Sequence, residues 1–314
     1  MRFQRVTAKV LPNGETSIVY PFHICTLGQE DRIIFRSDED LRVAHNYLPI
    51  CARRSNVIII TDCVLNTHIH AAVLAKSMKD AERFIRCYKI STSMYLSNKY
   101  DIKHGIFREV DSSPIFIDED RYLRNVICYI LRNSLDMGIR VDKYRWSGYR
   151  SLFCEGRIET DADRVADMSL RQIKETLRVG GQGEMGAGKL ADVGWMISND
   201  FVIEPASYCD WHYAESAFNG DVSFFTKVLG MTDNEQMDQM LIYDHIGRKS
   251  TDELMAIIEE KCVKRYGYRL SALTEVQKIP IVKSVFYSTR ASPGQLARCF
   301  GLSKIRVESI LNRK

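Results

Sequence analysis

Two hydrophobic periods alternate along the first 150 residues. Residues 16–24 (TSIVYPFHI) are rich in β-branched and aromatic side chains and predict a strand. Ser37-Asp38-Glu39-Asp40 is a helix-start signal, and the apolar pattern behind it runs to about Ala52. Residues 56–64 (NVIIITDCV) predict a buried strand and residues 68–74 (HIHAAVL) another, with a turn at Asn66-Thr67. Helical spacing returns from Ser77 to about Asn98, and residues 105–117 fit an extended segment interrupted at Pro114. Asp118 to Leu135 predicts a strongly amphipathic helix whose buried stripe is Tyr122, Val126, Tyr129, Ile130 and Asn133. Its acidic start suits the positive end of the helix dipole, and Gly138 follows as a cap. Strands alternating with helices argue for an α/β sandwich, one sheet with helices packed on it.

Beyond Cys154 the pattern changes. Residues 155–200 are polar and carry a glycine cluster at 180–188, and 153–233 read as a linker or insert. Residues 234–314 read as an all-α domain with helices near 234–244, 251–266, 274–289, 292–299 and 303–312. The last two fit a helix-turn-helix over 292–312: Ala297 allows close approach, Gly301 takes the turn, Val307 and Ile310 pack the second helix, and Ser303 caps it. Lys304, Arg306 and Ser303 would then face duplex DNA.

Charge sharpens this division. The chain of 314 residues carries a net +4. Residues 241–314 hold fourteen Lys and Arg against seven Asp and Glu, a net +7, which leaves −3 on the preceding 240. A basic end on a near-neutral body points to a polyanion contact there. Hydrophobic residues at 45% and charged residues at 27% exclude a mostly disordered chain. No apolar run is long enough to span a bilayer, so no membrane contact is expected. Nine cysteines without a CxxC pair argue against a disulfide framework or a structural zinc site, and suggest reduced, mostly buried thiols in a cytoplasmic protein.

Several constellations carry chemistry. His68 and His70 stand two apart on a predicted strand, so both imidazoles share a face and form half of a divalent-metal site; a chance pair on a half-exposed strand is the alternative. Tyr129 and Asn133 stand four apart on the amphipathic helix, as a nucleophile beside a metal ligand, or as a core tyrosine and an amide capping the helix. Residues 144–150 (YRWSGYR) interleave Arg145 and Arg150 with aromatics including Tyr149, which suits stacking and phosphate contact as well as a packed domain edge. Residues 183–190 (GEMGAGKL) imitate a phosphate-binding loop, but Leu190 stands where a magnesium-binding hydroxyl is needed and no buried strand precedes it.

Taken in order, these pieces resemble the single-tyrosine HUH transposases, and in particular the REP-associated tyrosine transposases. Carrying the likeness are Tyr20-Pro21-Phe22-His23, Ile33-Ile34-Phe35-Arg36, Asn66-Thr67-His68-Ile69-His70, Gly105-Ile106-Phe107-Arg108, Tyr129-Ile130-Leu131-Arg132-Asn133 with Gly138, and Tyr144 to Arg150. They cover about half the chain. Ser134 stands where the family has proline, and Gly148 where it has serine.

The resemblance implies a ferredoxin-like antiparallel sheet with helices over 1–152, with Mg²⁺ or Mn²⁺ held by His68, His70 and Asn133. It implies that Tyr129 attacks a phosphate of single-stranded or hairpin DNA, with Arg145, Tyr149 and Arg150 as DNA contacts. The C-terminal helices are similar to the DNA-binding domains of replication initiators. Monomer and homodimer, the latter with the tyrosine helix working in trans, both stay open. So do two other functions: a catalytically silent DNA-binding regulator, and an unrelated metal hydrolase.

Overall fold

In the computed structural model, residues 6–26, 33–102, 106–107, 114–180, 186–230, 251–289, 291 and 293–312 are described. The chain divides into two units, residues 1–237 and 238–314.

The first unit is built on an antiparallel sheet. Its strands are β1 (Thr7–Val10), β2 (Thr16–Cys25), β3 (Ile58–Val64) and β4 (Ile69–Ala75), in the order β1-β2-β4-β3, and a short β5 (Ile115–Phe116) also pairs with β2. The chain is therefore mixed α/β, and the strands expected at 16–24, 56–64 and 68–74 are present. Strand β1 had no counterpart among the expected elements: its Thr-Ala-Lys-Val sequence is too short and too polar to stand out from a loop.

Alternation along each strand separates two faces. Phe22 and Ile24 of β2, Ile69, Ala71 and Val73 of β4, and Ile59 and Val64 of β3 belong to one apolar core with α1 (Asp38–Ser55) and α2 (Met78–Tyr100). Both helices start on a serine whose hydroxyl accepts a backbone N–H three residues on, from Asp40 to Ser37 and from Asp80 to Ser77. The opposite face carries His23, Cys25, His70 and Ala72, and receives α3 (Asp120–Arg132), the amphipathic helix. Val126, Tyr129, Ile130 and Asn133 are buried as the stripe required, and Tyr122 is half-buried. Leu123 and Ile127 are buried as well, because α3 is covered from a second side: Arg124 donates to the Ala217 carbonyl and Arg132 to that of Leu229. α3 runs on into a 3-10 turn (Asn133–Met137) and stops at Gly138, whose φ of +69° is left-handed.

Residues 163–230 are not a linker. β6 (Asp163–Arg164) pairs with β7 (Met196–Ile197), and α4 (Leu170–Leu177) packs its Ile173 and Leu177 into the α1–α2 core. Asn46 of α1 fastens this segment by donating to the Phe201 carbonyl and accepting from Ile203 N–H. Helices α5 (Trp211–Ser216) and α6 (Val222–Gly230) complete the unit. The free edge of β3 is closed by bridges to Ser147 and Cys209, which deny it to another chain. The sequence pattern hid this packing because each contact joins short, irregular pieces.

The second unit contains α7 (Thr251–Tyr266), α8 (Glu275–Ser288), α9 (Pro293–Phe300) and α10 (Lys304–Asn312). Leu254, Ile258, Val282, Leu296, Val307 and Ile310 form its core. Gly301 joins α9 to α10 at φ +65°, and Ala297 is buried between them. The helix expected near 234–244 lies outside the described residues, as do 181–185 of the glycine cluster. No described helix is long and apolar enough to cross a membrane.

Candidate metal and tyrosine site

Strand register assembles the site. His70 of β4 stands directly opposite Cys25 of β2 on one side and Cys63 of β3 on the other, so all three share a face. His68 precedes His70 by two residues, and His23 precedes Cys25 by two, adding both imidazoles to that face. Ala72 stands opposite His23, its small side chain leaving room for the ring.

The donors converge. His68 Nε2 lies 2.9 Å from His70 Nε2, and Cys25 Sγ lies 3.7 Å from the same His70 nitrogen. The three ligand atoms fall within 4.8 Å of one another, close enough to hold one metal ion. The second nitrogen of each histidine is occupied: Thr67 Oγ1 is 2.7 Å from His68 Nδ1, and His23 Nε2 is 3.3 Å from His70 Nδ1. Such outer contacts fix ring orientation and turn the two Nε2 atoms toward each other and toward Cys25 Sγ. A thiolate with two imidazoles is a borderline-soft donor set, suited to Zn²⁺ and poorly matched to Mg²⁺.

Tyr129 meets this cluster edge-on. Its ring centroid is 5.2 Å from that of His70 at 83°, and 6.0 Å from that of His23 at 85°. The side chain is 4% exposed. Asn133 acts here as the helix cap: its Nδ2 donates to the Tyr129 carbonyl at 2.9 Å. Of the expected set His68, His70, Asn133 and Tyr129, the two imidazoles and the tyrosine ring come together, Asn133 Nδ2 bonds the Tyr129 carbonyl, and Cys25 is the third side chain that converges on the histidines. Cys25 and His23 were missed because the pairing of β2 with β4 is not visible in one sequence. Their His-x-Cys spacing on a predicted strand was the signal available.

The residues expected to touch DNA are engaged within the protein. Arg145 pairs with Glu159 and Asp200 and donates to Ser198 Oγ, while Arg150 donates to Glu159 at 2.7 Å. The bond from Arg150 holds the Glu159 carboxyl below its ordinary range. Tyr149 is half-buried, and burial raises its hydroxyl pKa. In the second unit Ser303 Oγ accepts from Arg306 N–H, Arg306 pairs with Glu275, and Lys304 lies 3.8 Å from Glu308. Exposed pairs of this kind are weak and exchange readily for phosphate.

Gly148 sits where a side chain has no room. A Cβ there would lie 2.6 Å from Thr61 Oγ1 and 3.1 Å from Asp62 N on β3. Gly148→Ser is expected to cost about 1–3 kcal/mol by overpacking this contact; urea unfolding checks it.

No protein-family model, curated protein or solved structure matches the chain.

Metal affinity offers a direct check of the donor set. His70→Ala is expected to weaken Zn²⁺ or Co²⁺ binding by roughly a hundred-fold or more, since even outer-contact losses cost about ten- to a hundred-fold. Cys25→Ser is expected to abolish the sulfur-to-metal charge-transfer band of the Co²⁺ form. An unchanged band would remove Cys25 from the site.

Proposed function

We propose that the first unit is a metal-dependent single-stranded DNA nuclease and strand transferase that works through a phosphotyrosine at Tyr129. The observation that carries this reading is the placement of the Tyr129 ring edge-on to His70, beside the three side chains that could hold a metal ion. The ordered motifs shared with single-tyrosine HUH transposases support it.

The chemistry follows from these groups. The Tyr129 oxygen attacks a DNA phosphorus, the bond to the 3′-oxygen breaks, and the phenolic proton leaves as the 3′-oxygen gains one. The products are a 5′-phosphotyrosine and a free 3′-hydroxyl. The ester keeps the phosphodiester energy, so attack by a second 3′-hydroxyl rejoins strands without ATP. A divalent ion bound by His68, His70 and Cys25 would polarise and orient the phosphate. Asn133 keeps the end of α3 in place through the Tyr129 carbonyl. The resemblance implies Mg²⁺ or Mn²⁺; the thiolate adds Zn²⁺ to the ions to be tried.

The second unit is proposed to contact duplex DNA through α9 and α10. Its basic balance supports this, as does Ile305, 79% exposed in the first turn of α10, where an apolar side chain can meet a thymine methyl.

A second reading, a DNA-binding regulator without catalysis, is favoured by the burial of Tyr129 and by the carboxylates facing Arg145 and Arg150. The two separate on one gel. The full chain is mixed with labelled single-stranded hairpins taken from the sequence flanking its own gene, with Mn²⁺, Mg²⁺, Zn²⁺ or EDTA. Strand transfer gives a metal-dependent band that stays retarded under denaturing conditions. Binding to several hairpins with neither cleavage nor adduct overturns it in favour of the regulator.

A further inference from the structure

Cys51 lies in α1 and Cys87 in α2, the two helices packed together on the sheet face opposite Tyr129. Cys51 is fully buried, whereas Cys87 is partly exposed. Two contacts bracket the thiols: Cys51 Sγ lies 3.8 Å from Ser91 Oγ, one turn beyond Cys87 on α2, and Arg54 Nη1, from the turn of α1 that follows Cys51, lies 3.8 Å from Cys87 Sγ. A thiol pair with one accessible member beside a guanidinium has what thiol oxidation chemistry needs: a stabilised thiolate, a path for a small oxidant, and a second sulfur on the facing helix turn.

We infer that Cys51 and Cys87 are a peroxide-reactive dithiol, in which Cys87 is the attacking sulfur, Cys51 the resolving one, and oxidation closes a disulfide between α1 and α2. The hydrogen bond from Cys51, then the Arg54 charge, bring the Cys87 thiol down to about 7, while burial pushes Cys51 well above its ordinary value. The Cys87 thiolate attacks a hydroperoxide oxygen and the O–O bond breaks. Cys87 becomes a sulfenic acid, and the other oxygen leaves as water or an alcohol once protonated. The Cys51 sulfur then attacks the Cys87 sulfur; the S–S bond forms, the S–O bond breaks, and the departing hydroxide takes the Cys51 proton as water. The two thiols lose two electrons and the peroxide gains them. The disulfide requires the two sulfurs to close to a bond of about 2 Å. A dithiol reductant reverses the change.

The test begins with the folded full-length wild-type chain, so it does not depend on any variant folding. Brief alkylation at pH 7, quantified cysteine by cysteine by mass spectrometry, is expected to label Cys87 at least about five-fold faster than the partly exposed Cys154, whose thiol burial raises. Hydrogen peroxide, followed by blocking and digestion without reduction, is expected to yield a linked Cys51–Cys87 peptide that dithiothreitol separates. In Cys51→Ala, dimedone is expected to trap a sulfenic acid on Cys87. Equal labelling of Cys87 and Cys154, or oxidation that never links Cys51 to Cys87, overturns the inference.

Discussion

Tyr129→Phe is expected to leave no covalent protein–DNA adduct and to slow strand cleavage on the order of 10⁴-fold or more, the scale of losing a catalytic nucleophile. The substitution removes one oxygen and keeps the ring that packs on His70 and His23. Its stability cost is expected to stay near about 1 kcal/mol, the worth of an ordinary hydrogen bond. Metal content is expected to be unchanged, because the converging donors are Cys25, His68 and His70. DNA affinity is expected to stay within about two-fold, as a lost hydroxyl removes no charge. The combination is diagnostic: cleavage that persists in Tyr129→Phe belongs to a metal hydrolase, with water as the attacking group.

Asp62→Ala is expected to cost about 3–5 kcal/mol, since it breaks a buried charged cluster by removing one member. Asp62 is fully buried on the α1 side of β3. Its Oδ1 lies 3.2 Å from His45 Nε2, and its Oδ2 accepts from the Tyr208 hydroxyl at 2.9 Å. Burial, then the Asp62 charge, push that hydroxyl far above its ordinary range, so Tyr208 stays a donor. Loss of the carboxylate takes away the shared partner of both groups and leaves the hydroxyl and His45 Nε2, 3.3 Å apart, only each other. It also loosens residues 205–210, which β3 holds through the Ile59–Cys209 bridge and the bond from Asp210 N–H to the Ile59 carbonyl. Asp62→Asn, which keeps an acceptor for Tyr208, is expected to cost less. Denaturant midpoints of the two variants test the ranking; equal stabilities would mean that the charge, which both variants lose, holds the cluster and the acceptor for Tyr208 does not.

Much of the first unit was legible because its elements carry local signals. Ser37 and Ser77 announce α1 and α2, and the largely apolar runs at 56–64 and 68–74 suit strands buried on both faces. His68 and His70 were legible for the same reason: a period of two settles that they share a face before any partner is known. Cys25 and His23 reach the same cluster through long-range register, which one sequence does not encode locally. Arg145 and Arg150 read as nucleic-acid contacts because their carboxylate partners, Glu159 and Asp200, stand nine to fifty-five residues away. The 163–230 segment read as a linker because short elements such as β6 and α4 are stabilised by the core they join rather than by their own pattern.

The most direct measurement is the mass of the peptide bearing Tyr129, taken after the full chain has met a single-stranded hairpin and a divalent metal and the bound DNA has been trimmed by nuclease. The account requires that peptide to carry a nucleotide joined through a 5′-phosphate to the Tyr129 oxygen. Cut DNA with an unmodified Tyr129 peptide, or a nucleotide attached to another residue, would contradict it.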